Sequence, residues 1–182
     1  MNNEIKSIDQ VLQVQIKKLQ DLAINLKWEP LGEFVLGDTS NDDSLSKLNH
    51  MGVYLFEVEK DIDQADFESW YEIFKEKWED EEYPKKHTPK LIKKRKNASE
   101  RKDSWIPLYI GKSQDIQARI NEHLTVGFDQ STSALKLNAR KNLVGYRFRL
   151  SFIRLIVDEY GAIMPVVESA LRERDKPILG RQ

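Results

Sequence analysis

Two short runs rich in Val, Ile, Tyr and Phe, residues 51–59 (MGVYLFEVE) and 105–111 (WIPLYIG), bracket a long segment that reverses its charge midway. Both runs have the composition of β-strands. Residues 57–82 hold twelve acids against Lys60, Lys75 and Lys77, whereas residues 85–102 hold nine Lys and Arg against Glu100. In the acidic part Phe67, Trp70, Tyr71, Phe74 and Trp78 recur at helical spacing. That predicts an amphipathic helix whose aromatic side packs the insertion onto its domain. Pro84, Pro89, Asn97 and Ser99 interrupt the basic part, which reads as a loop or hairpin. The layout is therefore strand, helical insertion at about 60–104, strand.

The flanks complete the expectation. Ile5, Ile8, Leu12, Ile16, Leu19, Leu22 and Leu26 form one apolar stripe on a predicted helix, ended by Trp28, Glu29 and Pro30. The stripe needs cover, either from its own domain or from a second copy in a homodimer. Residues 1–47 thus read as an N-terminal helix and linker. Beyond the second strand, helices are predicted at about 115–124 and 131–143. A strand follows at 146–157, with Tyr146, Phe148, Leu150 and Phe152 on one face and Arg147 and Arg149 on the other. A last helix covers about 162–174. The predicted fold class is α/β (α+β): a small three-stranded mixed sheet flanked by helices, within a domain at 48–182.

A chain of 182 residues can bury a core without covalent staples. The absence of cysteine excludes disulfides, thiolate catalysis and Cys-containing zinc motifs. His50, His87 and His123 are too dispersed for an all-His metal site. No signal-peptide pattern opens the chain and no apolar run approaches the roughly 18 residues of a membrane span, so a cytoplasmic protein without membrane contact is expected. The balance of 29 basic against 30 acidic residues hides segregation: −3 over residues 1–47, −2 over 48–106 and +4 over 107–182. A nucleic-acid partner would then be met locally, with Lys85, Lys86, Lys90, Lys93, Lys94, Arg95, Lys96, Arg147 and Arg149 as the candidate contacts. Gly111-Lys112-Ser113 imitates the end of a phosphate-binding loop, but Ile106 stands where that loop needs glycine.

Gly52-Val53-Tyr54 on one predicted strand and Tyr109-Ile110-Gly111 on the next are followed by Arg119 and His123 on a helix and Glu168 on the last helix. This ordered set resembles the GIY-YIG nuclease superfamily over about residues 48–180. The resemblance implies a compact domain that hydrolyses DNA phosphodiester bonds with one divalent cation, Mg²⁺ or Mn²⁺. It assigns Tyr54 as general base or proton relay, with Tyr109 as its companion and Lys112 as a nearby cation. Arg119 would meet the phosphate through its bidentate fork. His123, at i+4 from Arg119, would hold Tyr54 or protonate the leaving group. Glu168 would bind the metal.

Two departures stand out. The family usually joins its two tripeptides by a short connection, whereas 54 residues separate Tyr54 from Tyr109 here. Long insertions of this sort resemble restriction-type members, which use them to grip the duplex, so a restriction-like or mobile-element role is expected. Gly180 also stands where the family carries an Asn that ties the end of the domain to the active site, with Gln182 the nearest amide in its place. The competing expectation is a catalytically inactive module of the same fold that binds nucleic acid or protein.

Overall fold

The computed structural model describes residues 2–38, 49–60, 66–96 and 104–180. In chain order these form α1 (Asn2–Ala23), β1 (Glu29–Val35), β2 (Gly52–Glu59), α2 (Phe67–Trp78), β3 (Lys90–Leu91) and β4 (Trp105–Ser113). Then follow α3 (Ile116–Thr125), β5 (Arg147–Arg154), α4 (Tyr160–Asp175) and β6 (Leu179–Gly180). The main sheet has four strands in the order β1-β5-β2-β4, every neighbour antiparallel, and β3 pairs with β6 in a separate two-stranded sheet.

The fold is α+β, but the three-stranded mixed sheet of the sequence reading is corrected to these four antiparallel strands plus two. The extra main-sheet strand, β1, lies in what reads as linker because Pro30 and Gly32 disguise it. An edge position tolerates a proline that cannot donate to the ladder, and the register slips between Pro30 and Gly32. The helix predicted at 131–143 is also replaced, by two 3-10 turns at Leu137–Ala139 and Lys141–Leu143. Lys136 takes a left-handed backbone (φ +58°) at the start of the first turn, which an α-helix cannot run through.

Strand alternation divides the sheet into two apolar faces. One carries Tyr54, Phe56, Val58, Ile106, Leu108, Tyr109, Phe148 and Leu150 and packs on α2, α3 and the 3-10 turns. The other carries Val53, Leu55, Ile110 and Ile153 and packs on Met164, Val167, Ala170 and Leu171 of α4 and Ala23 of α1. Among the described residues no helix is long and apolar enough to cross a membrane.

The insertion is built into the domain. Asp66 caps α2 by accepting from the Ser69 amide at 2.7 Å, and Phe67, Trp70, Tyr71, Phe74 and Trp78 are all buried. The buried guanidinium of Arg140 lies 3.7 Å above the Trp78 ring and donates to the Trp78 carbonyl at 3.2 Å, joining α2 to the 3-10 turns. The end of the domain is strapped between the insertion and β4. Lys90 and Leu91 pair with Gly180 and Leu179, the Ile92 amide donates to the Ile178 carbonyl at 2.9 Å, and the Ile178 amide donates to the Pro107 carbonyl at 3.0 Å. Backbone pairing thus ties down the segment that holds Gly180. Gln182 lies outside the described residues, as do residues 97–102 of the basic run.

Candidate active site

Tyr54 and Tyr109 share a face by regular register, because Tyr54 opposes Gly111 and Phe56, two residues on, opposes Tyr109; the register breaks just beyond them. Phe56 opposes Tyr109 while Glu57 opposes Pro107, so Leu108 has no partner on β2. Such a bulge lets Leu108 and Tyr109 both serve the same face, and bulges are frequent beside active sites. The Tyr54 and Tyr109 ring centroids lie 6.4 Å apart. Both motif glycines are sterically required. A Cβ at Gly111, which pairs with Tyr54, would lie 2.2 Å from the Tyr54 hydroxyl, and one at Gly52 would lie 2.1 Å from the Ile153 carbonyl oxygen.

His123 sits buried behind Tyr54, with Nε2 2.8 Å from the Tyr54 hydroxyl. Its Nδ1 accepts from the Leu135 amide at 2.9 Å. Burial, with the Arg119 charge adding to it, pushes the imidazole pKa down to about 3, so the ring is neutral near pH 7. A neutral ring that accepts at Nδ1 carries its hydrogen on Nε2 and therefore donates to Tyr54. His123 holds the phenol and has no vacant nitrogen for its proton. Burial, followed by proximity to Tyr109, raises the Tyr54 pKa, while the positive charge of Arg119 opposes the rise.

Arg119 and His123 project from the same side of α3, which opens on the Asp115 cap accepting from Ala118 at 2.9 Å. The two ends of the Arg119 fork are held by the Glu122 carboxylate and the Ser133 carbonyl. Glu168 comes from α4 on the opposite side of the sheet edge and is clamped between two cations. Lys112 Nζ donates to Oε2 at 2.8 Å and Arg172 Nη2 to Oε1 at 2.8 Å. Arg172 also grips the Ile110 carbonyl through Nε at 3.2 Å and Nη2 at 2.9 Å, which ties Glu168 to the strand that carries Tyr109 and Gly111.

These elements enclose a cleft of about 290 Å³ lined by Tyr54, Tyr109, Gly111, Lys112, Arg119, Ser133, Glu168 and Arg172. Of the six residues assigned to catalysis by resemblance, five line it and His123 stands directly behind. Arg172 and Ser133 are additions. The i+4 spacing of Arg172 from Glu168 was the available signal for the first; nothing in the sequence marks the second.

Among the described residues no group of three or more His, Asp or Glu is placed to share a metal. Among the described residues Glu168 is the one carboxylate that lines the cleft. A carboxylate has about four lone-pair positions, and Lys112 and Arg172 occupy one on each oxygen. The remaining positions suit a hard cation that takes one carboxylate and fills its shell with water and phosphate oxygens.

The candidate nucleic-acid contacts divide sharply. Lys85, Lys86, Lys90, Lys93 and Lys94 are exposed. Arg95 is turned inward to the Pro177 carbonyl at 3.2 Å. Lys96 is ion-paired to Glu68 and Glu72, Arg147 to Glu33 at 2.7 Å, and Arg149 to Glu57 at 2.7 Å. The charges of these last three are answered where they stand. Comparison of the chain with family models, curated proteins and solved structures finds no match.

Proposed function

We propose that this cleft is the active site of a GIY-YIG-type endonuclease that hydrolyses DNA phosphodiester bonds with one Mg²⁺ or Mn²⁺. The observation that carries the reading is the convergence of Tyr54, Tyr109, Lys112, Arg119 and Glu168, drawn from two strands and two helices, on one cleft. Three cations, Lys112, Arg119 and Arg172, stand there against two carboxylates, Glu168 in the cleft and Glu122 on the Arg119 fork, which leaves a net positive charge suited to a phosphodiester. Arg119 stabilises the charge that builds on the phosphate oxygens, its guanidinium already aligned by Glu122 and Ser133.

Tyr54 works as a proton relay. Its hydroxyl oxygen takes the proton of the attacking water and hands its own proton to an oxygen of the substrate phosphate on the cleft side, because His123 already carries hydrogen on Nε2 and its Nδ1 is engaged by Leu135. The relay avoids storing a full negative charge on a phenol whose burial raises its pKa. Glu168 would hold the metal, which when bound supplies Lewis-acid stabilisation of the phosphate charge. The insertion supplies the grip on DNA expected of a restriction-like or mobile-element enzyme, through its exposed lysines.

The test is plasmid nicking in Mg²⁺ or Mn²⁺. Wild type is expected to convert supercoiled DNA to nicked or linear forms, and Arg119→Ala and Glu168→Ala to lose roughly 10²–10³ in rate. A second reading, a non-catalytic binding module of the same fold, draws on the engagement of both Glu168 oxygens by cations. Salt-sensitive DNA binding by wild type without cleavage in either metal would decide for it.

A further inference from the structure

The two cations on Glu168 are held in unequal ways. Arg172 reaches Oε1 at 2.8 Å from the next turn of the same helix. Its guanidinium is fixed a second time by the Ile110 carbonyl, at 3.2 Å through Nε and 2.9 Å through Nη2. Lys112 reaches Oε2 at 2.8 Å from strand β4, at the end of a flexible four-carbon stem. Among the described residues no second group holds its ammonium. The Lys112 side chain is 27% exposed and lines the cleft, so it has room to move; the Glu168 side chain, at 10%, is held where it stands.

Charge decides what such a contact does when the carboxylate meets a metal. Mg²⁺ sits about 2.0–2.1 Å from a carboxylate oxygen. A divalent cation sharing Oε2 with an ammonium 2.8 Å away would stand only about 4–5 Å from it. Two cations at that separation repel each other even across water. Arg172 is anchored to the strand and stays. Lys112 alone can withdraw, and the cleft offers it a destination: a phosphodiester seated against Arg119 lies in the space that Lys112 also lines.

We propose, on the reading of Glu168 as the metal ligand, that Lys112 is an exchangeable counter-ion. It neutralises Glu168 while the cleft is without metal and substrate, and it passes to a phosphate oxygen when Glu168 takes the metal. One ion pair is traded for another, so no charge is left buried without a partner at either stage. Metal and phosphate then favour each other's binding, because each rewards the same movement of Lys112. A lysine that served as a fixed strut for Glu168 would behave in the opposite way, and its loss would weaken metal binding.

The test is Mn²⁺ binding by the full chain without DNA, read as the loss of the free-ion EPR signal. The signal retained by Glu168→Gln is subtracted to remove other carboxylates. Lys112→Met is expected to bind Mn²⁺ about 10-fold more tightly than wild type, through loss of the repelling charge. Lys112→Arg, which keeps the charge, is expected to bind as wild type does, and Arg172→Met, which loses the anchor, more weakly. Thermal melts verify each fold; Lys112→Gln, neutral but still a donor, serves if Lys112→Met does not fold. A Glu168-dependent site that is unchanged or weakened in Lys112→Met would overturn the exchange and leave the metal reading standing. Equal tightening by Lys112→Arg, or tightening by Arg172→Met, would overturn it too. Absence of any Glu168-dependent Mn²⁺ site in both wild type and Lys112→Met would overturn the exchange together with the metal reading.

Discussion

The Tyr54 hydroxyl occupies the space that a side chain at Gly111 would need: a Cβ there would lie 2.2 Å from the Tyr54 oxygen. Gly111 is extended strand backbone, so the glycine is required by the ring beside it and not by its own conformation. Gly111→Ala is expected to push the phenol out of the cleft and to lower cleavage by at least about 10²-fold. Gly161→Ala is the matching control. A Cβ there meets nothing within 4 Å, and in helix α4 the change is expected to raise stability by about 0.5–1 kcal/mol. Thermal melts beside nicking rates check both.

The bond from His123 to Tyr54 has a pH signature. The imidazole pKa is about 3 in the folded chain and ordinarily about 6.5 when unfolded. Between those values the unfolded chain holds a proton that the folded one lacks, so acidification favours unfolding. The contribution is complete above about pH 6.5 and is lost on descent towards about pH 3, by at most about 1.4 kcal/mol per pH unit. His123→Asn does not titrate. Denaturant unfolding at pH 7 and pH 4.5 is expected to show a steeper loss for wild type than for this variant.

Arg172 joins Glu168 to the Ile110 carbonyl, so it sets where the carboxylate stands. Arg172→Met keeps the stem and removes the fork. It is expected to lower cleavage by about 10–100-fold and to raise the Mg²⁺ concentration needed for half-maximal rate. Arg172→Lys is expected to restore only part, because one ammonium cannot reproduce the forked grip. Rates measured across a Mg²⁺ series give the answer.

Much of the site was legible because its rules are local. Strand alternation and the i+4 step of a helix put Tyr54, Arg119 and His123 on calculable faces, and α2 follows directly from its aromatic spacing. What escaped depends on neighbours distant in sequence. Pro30 and Gly32 concealed β1, whose place at the sheet edge only the whole fold reveals. Lys136 turns left-handed inside a sequence with helical composition. Glu57 answers Arg149 from the register position opposite it on the next strand, a pairing that a count of charge along the chain does not contain. Arg172 stands in a run of Arg and acid residues, where its i+4 step from Glu168 is a local signal that had no force until Glu168 itself was placed in the cleft.

The division among the cations leads to a binding experiment. Alanine at Lys93 or Lys94 is expected to reduce the slope of log affinity against log salt by up to about 0.9 each, whatever the DNA sequence. Alanine at Lys96 or Arg149, both already ion-paired, is expected to leave that slope unchanged. Fluorescence anisotropy across a salt series, in Ca²⁺ to prevent cleavage, separates the two groups.

The most direct test of the nuclease account is single-turnover cleavage of duplex DNA by wild type and by Tyr54→Phe, with protein in excess and Mg²⁺ present. The substitution removes one oxygen, the atom that accepts from His123 at 2.8 Å, and melting of the variant verifies its fold. Wild type is expected to cut, and Tyr54→Phe to bind equally well while cutting about 10²–10⁴-fold more slowly. Cleavage by Tyr54→Phe at the wild-type rate, or a wild type that binds DNA and never cuts it, would contradict the account.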